Sequence, residues 1–211
     1  MDSDTKSDDR ITSAILSGST YERVRYERHS FLRQSVPRTL TLQSAFLALL
    51  AILLPMYGLF PESTVAYLPA VDPHVASPKV LLLGAFGGLL ELVGAALLVA
   101  AAVYRVRRAP LSESEAHAAL DAEDFARYVG LGTGGLAILL TLLLFTVGLG
   151  GESAVGSYVA TAGANPFASS GFDLPVATVS LLSFGASVTV FYAGSYLSVI
   201  LSLLQVDQRE E

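Results

Sequence analysis

Four long apolar tracts alternate with short polar stretches. They run over about residues 40–60, 79–104, 128–149 and 175–204, and charged positions fall almost entirely outside them. Each tract reaches the ~20 residues that a helix rising 1.5 Å per residue needs to cross a hydrocarbon core of about 30 Å. The pattern predicts an all-α integral membrane protein with four transmembrane helices, its membrane domain covering 39–204. The fourth tract is longer and richer in hydroxyls, so it must tilt or project into the headgroups. Pro55 is expected to kink the first before Tyr57 and Gly58.

The stretches between the tracts predict smaller elements. Residues 1–18 are acidic and Ser-rich, the composition of a disordered tail. Ser19 followed by Glu22 is the spacing of a capping box, and Tyr21, Val24, Phe31 and Leu32 fall near one helical face. An amphipathic juxtamembrane helix over 19–38 follows, ended by Pro37. Ser112 and Glu115 repeat the capping box after Pro110 and open a second short helix through about Arg127. Its Glu113, Glu115, Asp121, Glu123 and Asp124 read as a solvated face. Together with His117 they do not follow a calcium-loop spacing, so no metal is expected there. The connection 150–174, with Asn165-Pro166-Phe167 at its centre, is expected to be a surface loop containing a short helix.

Charge then orients the tracts. Arg23, Arg25, Arg28, Arg33 and Arg38 precede the first, Arg105, Arg107, Arg108 and Arg127 lie between the second and third, and Arg209 lies in the tail 205–211. The connections 61–78 and 150–174 contain neither Lys nor Arg. By the positive-inside rule both termini and both short helices face the cytoplasm, and the expected location is the cell membrane. Of these arginines, Arg23, Arg25, Arg28, Arg33, Arg38, Arg105, Arg107 and Arg108 are the expected inner-leaflet contacts.

Glu91 stands in the middle of the second tract, where a carboxylate is costly and marks a candidate site. It shares a helical face with Gly84, Gly87, Gly88 and Gly94. In lipid such small-residue faces let helices approach closely, and Gly130, Gly134, Gly194 and Ser198 are the matching candidates on the third and fourth tracts. Glu91 and Ser187 each lie twelve residues into parallel helices, about 18 Å from the outer boundary. Ser183, Ser187 and Thr189 are therefore the expected partners of Glu91. No Lys, Arg or His lies within a tract core, so the neutral, hydrogen-bonded carboxyl is expected. Gln43 and Ser44, near the inner end of the first tract, are given no role.

Composition narrows the chemistry. The chain has 211 residues, 52% hydrophobic and 15% charged, against about 25% charged in soluble domains, which favours the bilayer as solvent. It has no cysteine, so disulfides, thiolate metal sites and cysteine nucleophiles are excluded. The histidines His29, His74 and His117 lie outside the tracts, which excludes a bis-histidine haem between them. The net charge of −6 argues against nucleic acid. Eleven arginines beside two lysines, in an acidic chain, resemble the composition of proteins from salt-loving archaea. No catalytic or cofactor motif is present. The expected function is that of a non-enzymatic accessory or scaffold subunit, packing through its small-residue faces with itself or a membrane partner. The alternative is a small transporter or channel subunit with Glu91 as its proton or cation site.

Overall fold

The computed structural model describes residues 20–27 and 34–207, and every regular element among them is helical. Four helical stretches are long and apolar enough to cross a membrane: Val36–Gly58, Lys79–Arg107, Glu113–Leu149 and Val176–Ser202. They are spans one to four below. An N-terminal helix, Thr20–Glu27, precedes them. Ser19, Arg28, Phe31, Leu32, Arg33, Arg209 and the tail 1–18 lie outside the described residues.

Span one is interrupted between Ala51 and Leu53. The break lies one turn before Pro55 because proline has no N–H to bond the Ala51 carbonyl and its ring crowds that carbonyl. Ile52 turns back to the Leu49 carbonyl instead, at 3.1 Å.

Span three differs from expectation. The helix opened by Ser112 does not stop at Arg127 but continues through a π-helical segment, Tyr128–Gly134, into Gly135–Leu149. Arg127 and Gly135, on either side of that segment, both keep right-handed helical backbone angles. The glycines at 130, 132, 134 and 135 therefore widen a turn rather than end the helix, as π segments do. The Ser112 box itself forms: the Ser112 side chain accepts from the Glu115 N–H, and the Glu115 side chain accepts from the Ser112 N–H.

Span one lies between spans four and two, and span three packs on span two. Glycines set the close approaches. A β-carbon on Gly87 would stand 2.7 Å from the Gly134 carbonyl, and one on Gly134 would stand 2.9 Å from the Gly87 carbonyl. Gly84 and Gly88 receive Leu50, and Gly194 receives Leu40 of span one. Ser198 is exposed instead of packed.

The two ends of the bundle are built differently. At one, here the terminal end, the N-terminal helix sets Tyr21 and Val24 against Ala116, Ala119 and Leu120. At the other, the loop end, the connections fold over the spans. Glu62–Tyr67 is a 3-10 helix and Gly151–Ala162 an α-helix, so the second connection contains the short helix expected of it. The Asn165 side chain donates to the Tyr67 carbonyl at 2.8 Å and accepts from the Phe167 N–H at 2.9 Å. This pins Phe167, fully buried, against Phe145 and Phe60, with ring centroids 6.0 and 5.3 Å away.

Candidate functional site

Glu91 is fully buried. Its glycine face turns it toward spans one and three, and its neighbour there is Gln43, also fully buried. Span three makes room for the pair by having no side chain at Gly130. A β-carbon there would stand 3.1 Å from Glu91 Oε2 and would collide with Gln43 Nε2. Gly94 does the same from span two: its β-carbon would meet Gln43 Nε2 at 2.7 Å and the Ala126 carbonyl at 2.8 Å. Three helices thus enclose one carboxyl and one carboxamide, and the helix that closes the site does so with its π-helical segment.

The two side chains face each other, but neither carboxyl oxygen of Glu91 and neither amide atom of Gln43 makes a hydrogen bond of regular geometry. Buried polar atoms without partners are rare and costly, about 1–3 kcal/mol each. A neutral carboxyl and a carboxamide satisfy one another reciprocally, the acid O–H donating to the amide oxygen and the amide N–H donating to the acid carbonyl.

The expected partners on span four lie elsewhere. Ser187, on span four, donates to the Ser44 carbonyl of span one at 2.8 Å. Ser183 is buried, and Thr189 is exposed and donates to Gly185 of its own helix at 2.9 Å. The depth matching of Glu91 with Ser187 is nearly right, since Ser187 meets Ser44 and Gln43 is the next residue. What differs is the direction: span one stands between them, and Gln43 occupies the place given to the serines.

A second polar cluster lies toward the terminal end. Glu123, only 1% exposed, accepts from Arg127 at 2.9 Å and from Arg105 at 3.1 Å. The Tyr21 hydroxyl donates to Glu123 at 2.9 Å and accepts from Arg105 at 2.8 Å. The Arg105 guanidinium also covers the Tyr21 ring, 3.5 Å from its centroid. Arg127 reaches further to Asp124 at 2.8 Å and to the Gln34 carbonyl at 3.2 Å. Burial, and then the Glu123 carboxylate, hold the Tyr21 hydroxyl well above its ordinary pKa, so it stays a phenol.

One expectation is corrected here. Glu123 is not part of a solvated face, because the arginines and Tyr21 neutralise and cover it. Arg105 is mostly enclosed in an ion pair, with its side chain 17% exposed. Arg23, Arg38, Arg107 and Arg108 are exposed, and Arg25 is half-buried.

Sequence reasoning passed over Gln43. Its signal is the spacing of Thr39 and Gln43, one helical turn apart on span one and both fully buried. Comparisons with family models, with curated proteins and with solved structures find no match to this chain.

Proposed function

We propose that the chain is a non-enzymatic multi-pass protein of the cell membrane, an accessory or scaffold subunit with both termini in the cytoplasm. The observation that carries this reading is the placement of Glu91. Glu91, the one acidic residue of the apolar tract 79–104, is enclosed by Gln43 and the glycines of spans two and three, so it serves first to fix three helices in register. Outward, span four presents Leu181, Leu182, Phe184, Tyr192, Tyr196 and Val199 to lipid or to a membrane partner. The test is cross-linking in native membrane followed by purification of the intact chain. A stoichiometric partner, or a defined homo-oligomer, supports the scaffold role; a chain that is monomeric and alone at native abundance removes it.

One observation favours a second reading, a small transporter or channel subunit. The polar atoms of Glu91 and Gln43 are orphaned at mid-membrane, the condition of a group that binds a proton or cation. Proton flux into liposomes, measured for the wild type and Glu91→Gln, decides it. Flux lost in a well-assembled variant supports transport, and absence of flux in both removes it.

A further inference from the structure

The orphaned and buried polar groups are unevenly distributed through the bundle. From Glu91 toward the terminal end they continue: Gln43, then Thr39 one turn earlier on the same span, then Arg127, whose Nη2 donates to the Gln34 carbonyl and whose Nε has no partner, then Glu123 under Tyr21. Thr39 donates to the Ser35 carbonyl and Arg127 to the Gln34 carbonyl next to it in the chain. Gln43 Nε2 and the carbonyl of Ala126, the residue before Arg127, crowd the same Gly94 β-position within 2.8 Å. From Glu91 toward the loop end, Thr141 and Thr64 are buried but bonded to the Ala137 and Gly148 carbonyls, Ser180 on span four keeps a buried hydroxyl without a partner, and the rest of the interior is apolar. Leu50, Leu53, Leu81, Ile138 and Phe145 fill it, and Phe167 closes it.

We propose that Glu91 is a one-sided proton site, reached along this polar ladder from the terminal end and sealed from the loop end by the aromatic cluster. The proposal rests on the second reading above only in that Glu91 takes up and releases a proton. It does not require flux across the membrane. The step is proton transfer alone: the carboxyl O–H bond breaks, the carboxylate remains, and water carries the proton along the ladder. A proton suits the site better than a metal cation, because glycines on spans two and three leave space only for the two side chains. Gln43 serves both states, since its N–H donates to carboxyl or carboxylate alike. Among the described residues, Glu91 meets Gln43 of span one and Gly130 and Gly134 of span three, none of them titratable, with the span-four serines beyond span one. The nearest charges on the ladder are Arg127, Glu123, Asp124 and Arg105. The N-terminal helix is the door, because the buried Tyr21 covers Glu123.

The full chain is reconstituted in liposomes, and vesicles of one orientation are captured by a tag on the C-terminus. Infrared difference spectra between the wild type and Glu91→Gln assign the neutral carboxyl band of Glu91. Should Glu91→Gln fail to assemble, Glu91→Asp assigns the band by moving it. The pH is then stepped on one side at a time with impermeant buffer. The band is expected to follow the pH on the terminal side and to ignore the loop side. Tyr21→Ala should speed the response about tenfold, the change that loss of one docking contact produces in an opening equilibrium. Gln43→Leu should slow it. A band that follows the loop side, or both sides equally, overturns the sidedness while leaving a titrating Glu91 in place. A band unmoved by pH on either side overturns the proton site itself, and a proton-transport reading of Glu91 with it.

Discussion

At the terminal end Tyr21, Arg105, Glu123 and Arg127 hold the N-terminal helix to the helix that runs into span three. At the loop end Tyr57, Phe60, Phe145 and Phe167 fill the space beneath the folded connections, with neighbouring centroids 5.1 to 6.4 Å apart. The first cluster is directional and interdependent. Taking its charges out of water is costly, and only the full set of hydrogen bonds compensates. The second is adaptable, because ring contacts in a range of tilts are nearly equivalent in energy. The ends should therefore fail differently, one through loss of a single partner and the other in proportion to volume removed.

Glu123→Ala tests this most severely. It takes the carboxylate from Arg105 and leaves Arg127 with Asp124 alone, and breaking a buried pair in this way costs about 3–5 kcal/mol. Reversible unfolding in mixed micelles should show that loss, with release of the N-terminal helix seen by hydrogen exchange. A loss below about 1 kcal/mol, the range of an exposed pair, would place the cluster in water instead.

Phe145→Ala is the counterpart at the loop end. Phe145 is fully buried among the other rings, and the substitution should cost about 3 kcal/mol through the cavity it leaves. The cost should not change with salt, whereas that of Glu123→Ala should shrink as ions screen the exposed part of Arg105. Equal salt dependence of the two losses would erase the distinction between the ends.

The contrast also separates what was legible in the sequence from what was not. The spans are legible because a bilayer demands about 20 apolar residues, and the constraint acts on every position. The Ser112 box is legible because its partners are three residues apart. The Glu123 cluster is not, since Tyr21 lies 102 residues away and a run of acids looks the same whether solvated or paired. Gln43 was hidden by an assumption of level boundaries. It meets Gly94, seven residues into its own helix but thirteen from the end of span two at Arg107. Span two thus runs about two turns past the start of span one, which brings a residue near one apparent boundary to the middle of the bundle.

Tyr21 offers a smaller and reversible perturbation. Burial and Glu123 raise its pKa in the docked state, so docking is at full strength while the undocked phenol is also neutral, below about pH 10. Above that, the undocked phenol ionises while the docked one resists, and docking weakens as pH rises toward the raised value. Tyr21→Phe should abolish this alkaline dependence and cost about 1 kcal/mol at neutral pH for the lost hydrogen bonds. Hydrogen exchange of the N-terminal helix against pH, wild type minus variant, measures both. A difference that stays flat through alkaline pH would mean Tyr21 is not enclosed.

The smallest effect belongs to Ser112→Ala. An N-cap is worth about 1 kcal/mol in a free helix, because its oxygen satisfies an otherwise unpaired N–H. Here the helix continues without a break into span three, whose later turns are held by packing, so fraying is confined to the first turn. That turn matters to the comparison all the same. Leu111 and Ala116, on either side of the cap, belong to the surface that receives Tyr21 and Val24. If the ionic cluster alone holds the N-terminal helix, Ser112→Ala should speed exchange at residues 113–116 and leave the exchange of 20–27 unchanged. If 20–27 open together with the cap, the apolar contact shares the load, and the terminal end is held partly by the same non-directional packing as the loop end.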